Sequence, residues 1–185
     1  MNNEAIAQRS KNTTRLAKMG MLVAISIVLV YIIHFPIFPA VGFLEYDPAD
    51  IPILMGAFAF GPVAGIMITV VTSVLQGLTV SAQSGLYGIL MHVIATSTFV
   101  IVSGIIYKHN KSKKNAVIAL SCGVLAMTAI MVPANYLITP YFMGVPASGI
   151  TAVLPFIVGF NFIKAGINAI ITFFLYKRVS KFLHR

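Results

Sequence analysis

Residues 51–80 read IPILMGAFAFGPVAGIMITVVTSVLQGLTV, an uncharged run broken once, at Gly61-Pro62. A helix crosses the hydrocarbon core of a bilayer with about 20 apolar residues, so the run is too long for one ordinary span. Gly tolerates backbone angles closed to other residues, and Pro lacks the N–H that would continue a helix. The pair therefore marks a tight corner between two spans. The first of them, residues 50–60, is too short to cross a bilayer at about 1.5 Å per residue. It has to begin in the preceding loop or be sheltered by neighbours.

Splitting this run decides the topology. The chain has 185 residues, 58% hydrophobic and only 9% charged, with a mean hydropathy of +0.93. That is the composition of an integral membrane protein, with no length left for a soluble catalytic domain. The net charge of +9 sits in loops, which speaks for membrane orientation and against nucleic acid. Four basic residues precede the first apolar run (Arg9, Lys11, Arg15, Lys18), four share a central loop (Lys108, Lys111, Lys113, Lys114) and four close the chain (Lys177, Arg178, Lys181, Arg185). The positive-inside rule places all three clusters in the cytoplasm, so an even number of spans separates each neighbouring pair. Three apolar stretches, 19–34, 51–80 and 86–107, lie between the first two clusters; parity holds only if 51–80 counts twice. Residues 116–137 and 151–176 supply two more spans, joined by an outside segment over 138–149. The expected fold is an all-α bundle of six transmembrane helices with both termini cytoplasmic. A basic segment (1–18) and a basic tail (177–185) flank a membrane domain (19–176). Residues 1–18 are too long and polar for a signal n-region, and no A-x-A-like site follows the first apolar run, so no cleavage is expected. No internal repeat is visible, and the single Cys122 can form no intramolecular disulfide.

Polar residues that interrupt this pattern are candidates for function. The outside loop FPIFPAVGFLEYDPAD, residues 35–50, holds three of the four acids (Glu45, Asp47, Asp50) among prolines and aromatics. Asp47 or Asp50 could cap the second helix, or the loop could fold back as a lid over a ligand. The thirteenth basic residue, Lys164, lies inside the last span in GFNFIKAGIN, residues 159–168. An ionisable group at that depth is costly and usually faces a cavity or a partner; pairing with a loop acid is the alternative. Asn161, Lys164 and Asn168 share one helix face at i, i+3, i+7, and Asn135 in VPANYL stands at a similar outer depth on the fifth span. Asn168 alone reads as interhelical glue. Asn135, Asn161 and Lys164 together read as one wall of a ligand pocket. Replacing Lys164 or Asn161 by Ala is then expected to weaken binding without unfolding the bundle. Gln76, Gln83 and His92 receive no assignment. His34 and His92 have no partner at metal-ligand spacing, so neither a metal nor a cofactor is expected. On the first span, Gly20 and Ala24 form a small-x-x-x-small pair that permits close approach of another helix.

There is no H-E-x-x-H, G-x-S-x-G or Cys-x-x-Cys, no intramembrane carboxylate pair and no phosphate-binding G-x-x-x-x-G-K-[ST]. An enzyme or a self-powered pump is not expected. A proton-coupled carrier would have to rely on the His residues and Lys164.

The stretch FPIFPAVGFLEYDPADIPILMGAFAFGPVAG, residues 35–65, resembles the substrate-binding S components of energy-coupling factor (ECF) transporters, above all the riboflavin-specific members. F-L-x-Y-D-P-x-D-I-P and G-A-F-x-F-G-P carry most of it; A-N-Y at 134–136 and N-F-I-K at 161–164 add to it. The resemblance runs from about Arg15 to the C-terminus. It implies a six-helix subunit of the bacterial cytoplasmic membrane that captures riboflavin from outside. It further implies a membrane coupling protein and two ATPases as partners, and a toppling movement that releases substrate inward. By the same resemblance, Asn135, Asn161 and Lys164 contact the ligand, Phe43 and Leu44 pack on it, and Gly20 and Ala24 dock the coupling protein. The family's usual docking pattern is Ala-x-x-x-Ala, from which Gly20 departs. A flat ring with a uracil-like edge suits Asn amides, which both donate and accept, and the acidic outer loop disfavours a phosphorylated flavin. The rival readings are an S component for another vitamin or a flavin nucleotide, a stand-alone proton-coupled carrier using His92, and a structural subunit without a ligand.

Overall fold

Gly61 makes the expected corner. In the computed structural model, which describes residues 3–183, its φ is +95°, a conformation that residues with a Cβ rarely adopt. Helix α2 (Asp50–Phe60) ends there and α3 (Pro62–Leu78) begins, with Pro in the first turn where its missing N–H costs nothing. Four further helices complete the bundle: α1 (Asn3–Ile32), α4 (Gly85–His109), α5 (Lys113–Met143) and α6 (Ala147–Leu183). Arg185, counted in the C-terminal basic cluster, lies outside the described residues.

Four of the six helices are long and apolar enough to cross a membrane; α2 and α3 are shorter. At about 1.5 Å per residue, α2 reaches only about 16 Å. It tolerates this because every residue from Asp50 to Ala59 is buried, packed among α1, α3, α4 and α6. Shelter by neighbours, not extension into the loop, is the solution adopted. Phe58 stacks on Tyr107 of α4 at 4.1 Å and meets Tyr176 of α6 edge-on at 5.7 Å. At the end of α2, Arg15 of α1 donates to the Phe60 carbonyl at 2.9 Å, satisfying an orphan acceptor of the helix terminus. Gly65 lets α3 close onto α2: a Cβ there would stand 2.7 Å from that of Ala57. Apolar side chains turned outward, such as Val63, Met67, Val71 and Leu78 on α3, form the surface a bilayer would meet.

Two features depart from the sequence reading. Helix α5 continues through Pro140 to Met143, so the expected outside segment 138–149 shrinks to a link over residues 144–146. Proline removes one donor without preventing a helix from running on; the stop comes at Gly144, at φ +65°, whose N–H bonds back to the Pro140 carbonyl. The connection after α1 contains a two-residue antiparallel ribbon, β1 (Phe35–Pro36) on β2 (Glu45–Tyr46), in the register Phe35 to Tyr46. A 3-10 turn (Pro39–Val41) lies between the strands.

Candidate functional site

The ribbon folds the connection back toward the helices, with Phe38 against Phe156 of α6 (5.7 Å) and Phe43 against Phe142 of α5 (6.2 Å). Beneath it lies a cleft enclosing about 1000 Å³, including its open mouth. Asn135, Asn161, Lys164, Phe43 and Leu44 all line it. Gly20 and Ala24 lie elsewhere, exposed on α1.

Asn161, 2% exposed, donates from Nδ2 to the Ile157 carbonyl at 2.8 Å, while its Oδ1 has no partner among the described residues. Asn135 donates to the Met131 carbonyl at 2.7 Å and accepts from Thr139 at 2.8 Å. The Lys164 ammonium donates to Asp47 Oδ2 at 2.7 Å, which leaves two of its three N–H groups for other acceptors. The two readings of Lys164, cavity lining and pairing with a loop acid, are thus both realised.

Asp47 is the hub of this arrangement. Its Oδ2 also accepts from Gln76 of α3 at 3.2 Å, its Oδ1 from the Ala49 N–H at 3.1 Å, and its carbonyl from Asn168 at 3.2 Å. Burial is the largest single influence on the Asp47 carboxyl and would raise it, but the charges of Lys164 and His92 and the hydrogen bonds from Lys164 and the Ala49 N–H together hold it below its ordinary value. Asp50 does not cap α2. The N-cap position is Ala49, and Asp50 accepts instead from Thr96 of α4 at 2.7 Å and Asn168 of α6 at 3.0 Å. Asn168 also accepts from the Tyr46 hydroxyl at 3.1 Å, which makes it the interhelical tie its position suggested.

Several lining residues went unassigned in the sequence. His92 sits 2.7 Å from Ser73 Oγ and lines the cleft with Gln76; Gln83 is exposed. Polar residues inside apolar helices were the only signal for these two. Met127, Met131, Phe142 and Phe160 also line the cleft, and nothing in a uniformly apolar run distinguishes them from core. Among the described residues, no group of three or more His, Cys, Asp or Glu is placed to hold a metal ion.

Residues 14–176 match the family model described as "ECF transporter, substrate-specific component". The riboflavin transporter RibU of Staphylococcus aureus (strain TCH60) is 31% identical over 178 residues, covering 92% of this chain and 93% of that protein. The riboflavin transporter FmnP of Bacillus subtilis (strain 168) is 29% identical over 181 residues, covering 92% and 94%. A solved structure, described as the S component of a bacterial ECF transporter, superposes with a TM-score of 0.82 at 31% identity, over 94% of this chain and 99% of that one. The chain belongs to the ECF transporter S components, substrate-binding transport subunits of the bacterial cell membrane that pair with an ECF module.

Proposed function

We propose that the ligand is riboflavin, bound non-covalently with its ring system in the cleft. The observation that carries this reading is the convergence of Asn135, Asn161 and Lys164 on one cleft that Phe43 and Leu44 also line. The uracil-like edge of the flavin ring carries two carbonyls and one N–H. The unpartnered Oδ1 of Asn161 suits the N–H, and the spare Lys164 donors suit a carbonyl. Phe43, Leu44 and the Met side chains provide apolar contact for the ring faces. Two relatives that match nearly the full chain carry the name riboflavin transporter, which supports the same ligand. The connection over residues 35–50 acts as the lid. Segments 1–18 and 177–185 lie on the cytoplasmic side, and Gly20 and Ala24 form the docking stripe for the coupling protein, whose two ATPases drive inward release.

The test is titration of the protein purified alone in detergent, following quenching of flavin fluorescence. Stoichiometric quenching by riboflavin, with weaker binding of its phosphate, is the expected result. A protein that ignores both flavins would send the assignment to another vitamin.

A further inference from the structure

At the end of the bundle away from the cleft, the α2–α3 corner leaves a notch. Arg15 of α1 reaches the end of α2, and Phe58 of α2 stacks on Tyr107 of α4 and meets Tyr176 of α6. Arg15 belongs to the first basic cluster, while Tyr107 and Tyr176 stand immediately before the other two. All three clusters therefore meet here, at the end that the positive-inside rule assigns to the cytoplasm. The notch holds about 410 Å³ including its mouth, and its lining includes Phe58, Phe60, Gly61, Tyr107, Lys108 and Lys111. Phe58 and Tyr107 are buried and make the floor, whereas both lysines are exposed and make the rim. Gly61 helps to keep it open, since a Cβ built there meets nothing within 4 Å.

The rim is cationic without a counter-charge. Among the described residues, neither Lys108 nor Lys111 forms an ion pair; the two pairs that exist, Lys164 with Asp47 and His92 with Asp50, belong to the cleft and the base of the outer connection. Three of the four acids lie in that connection, and the fourth, Glu4, is 11 residues before Arg15 on α1, about 16 Å away along the helix. The Phe60 carbonyl, an orphan acceptor at the end of α2, is already taken by Arg15, whose guanidinium also lies 5.8 Å from the Phe60 ring centroid.

A ligand for this notch needs a negative charge for the rim and an apolar part for the aromatic floor, at the level where a bilayer meets the cytoplasm. A phospholipid has both, in its phosphate and in the glycerol and first acyl carbons beside it. Free phosphate would leave the floor unused, and a zwitterionic headgroup would bring a further cation to a rim that is already basic. The cytoplasmic leaflet is the one whose anionic lipids attract basic segments at the membrane surface. We infer that the notch is a headgroup site for an anionic phospholipid of that leaflet, with the phosphate held by Lys108 and Lys111 and the glycerol end resting on Phe58, Phe60 and Tyr107. A lipid bound there ties the α2–α3 corner to the end of α4.

The experiment titrates the protein, purified in detergent, with phosphatidylglycerol, with phosphatidylcholine of the same acyl chains and with inorganic phosphate, counting bound lipid by native mass spectrometry and following the melting temperature. The wild type should favour phosphatidylglycerol over phosphatidylcholine by about tenfold or more, with a matching rise in melting temperature. Lys108→Gln with Lys111→Gln should lose that preference. Lys113→Gln with Lys114→Gln removes the same charge from the same loop at residues that do not line the notch, and should retain it. All four side chains are exposed, so both double variants should melt like the wild type without lipid. Equal loss of preference in the two double variants overturns the site in favour of diffuse attraction to the loop. Equal binding of the two lipids by the wild type also overturns it, and inorganic phosphate that stabilises as much as phosphatidylglycerol would make the notch a phosphate site and not a lipid site. Absence of any lipid preference, with Lys108→Gln, Lys111→Gln failing to copurify with the ECF module, would give the notch to a protein partner.

Discussion

Lys164 Nζ stands 2.7 Å from Asp47 Oδ2, tying the middle of α6 to the connection between α1 and α2, with the two side chains 7% and 5% exposed. Removing one member of such a pair strands a buried charge, at a cost of about 3 kcal/mol or more. Lys164→Ala should therefore lower the melting temperature as well as the affinity, which modifies the expectation from sequence that the fold would be spared. The double variant Asp47→Asn, Lys164→Met removes both charges and should recover most of the stability while riboflavin affinity stays low. Wild-type affinity in that double variant would falsify the ligand contact of Lys164.

Asn161 offers the cleaner test of the ring site. Among the described residues, the one hydrogen bond of its side chain runs to the carbonyl of Ile157, four residues back in its own helix, so little of the fold hangs on it. Asn161→Ala should weaken riboflavin by about tenfold or more, through loss of the unpartnered Oδ1, with a melting temperature close to wild type. A variant that melts early and still binds tightly would show that Asn161 serves the fold instead.

The pair also fixes an acid limit. Burial pushes the Asp47 carboxyl up most strongly, yet Lys164, with His92 and the hydrogen bonds the carboxyl accepts, holds it below the ordinary value of 3.8. A depressed carboxyl contributes stability that is fully present above its unfolded value and lost as pH falls through its folded one. The stability of the wild type relative to the Asp47→Asn, Lys164→Met double variant should therefore stay constant from neutral pH down to about pH 4 and fall only below it. Melting curves at stepped pH measure this. A relative stability already falling near about pH 6 would point to a histidine in place of Asp47.

The helix plan was legible because its signals are local. Gly61-Pro62 marks the α2–α3 corner, and three basic clusters divide the chain, whichever residues later come into contact. The end of α5 was misread because Pro140 signals a break in sequence, while in the structure its ring fits the helix and Gly144 provides the stop. At the site, an ionisable residue deep in a span singled out Lys164, and amides on one face singled out Asn161 and Asn168. Their partners stayed hidden: Asp47 is 117 residues away from Lys164, and three acids in one loop gave no ground for choosing among them. Asp50 resembled a helix cap by position, and only the packing of α4 and α6 against α2 shows Thr96 and Asn168 claiming its oxygens.

The corner itself can be tested. Gly61 has φ +95° with nothing within 4 Å of an added Cβ, so Gly61→Ala creates no clash and reports backbone strain alone. A cost of about 1–3 kcal/mol is expected, seen as a lower melting temperature with riboflavin affinity unchanged in the folded fraction. Gly65→Ala would instead drive a methyl against Ala57 across the α2–α3 contact and should cost more, since backbone must shift in a packed core. Equal melting of Gly61→Ala and wild type would mean that the corner relaxes into another conformation.

Binding and coupling should separate on α1. Gly20 is exposed, and a Cβ built on it meets nothing within 4 Å, while the cleft is lined by residues of other helices and of the outer connection. A bulky residue at Gly20 therefore disturbs no packing within this chain, and its effect must come from something that approaches α1 from outside. Gly20→Trp should keep the riboflavin affinity and the melting temperature of the wild type, yet fail to copurify with the ECF module and fail to support uptake in cells. Leu125→Trp, on the outward face of α5 where Leu125 is 61% exposed, is the matched control and should retain both. Small residues on a membrane helix allow an approach that a large ring blocks, so a selective loss at Gly20 locates the docking surface. Full uptake by Gly20→Trp would move that surface to another face of the bundle.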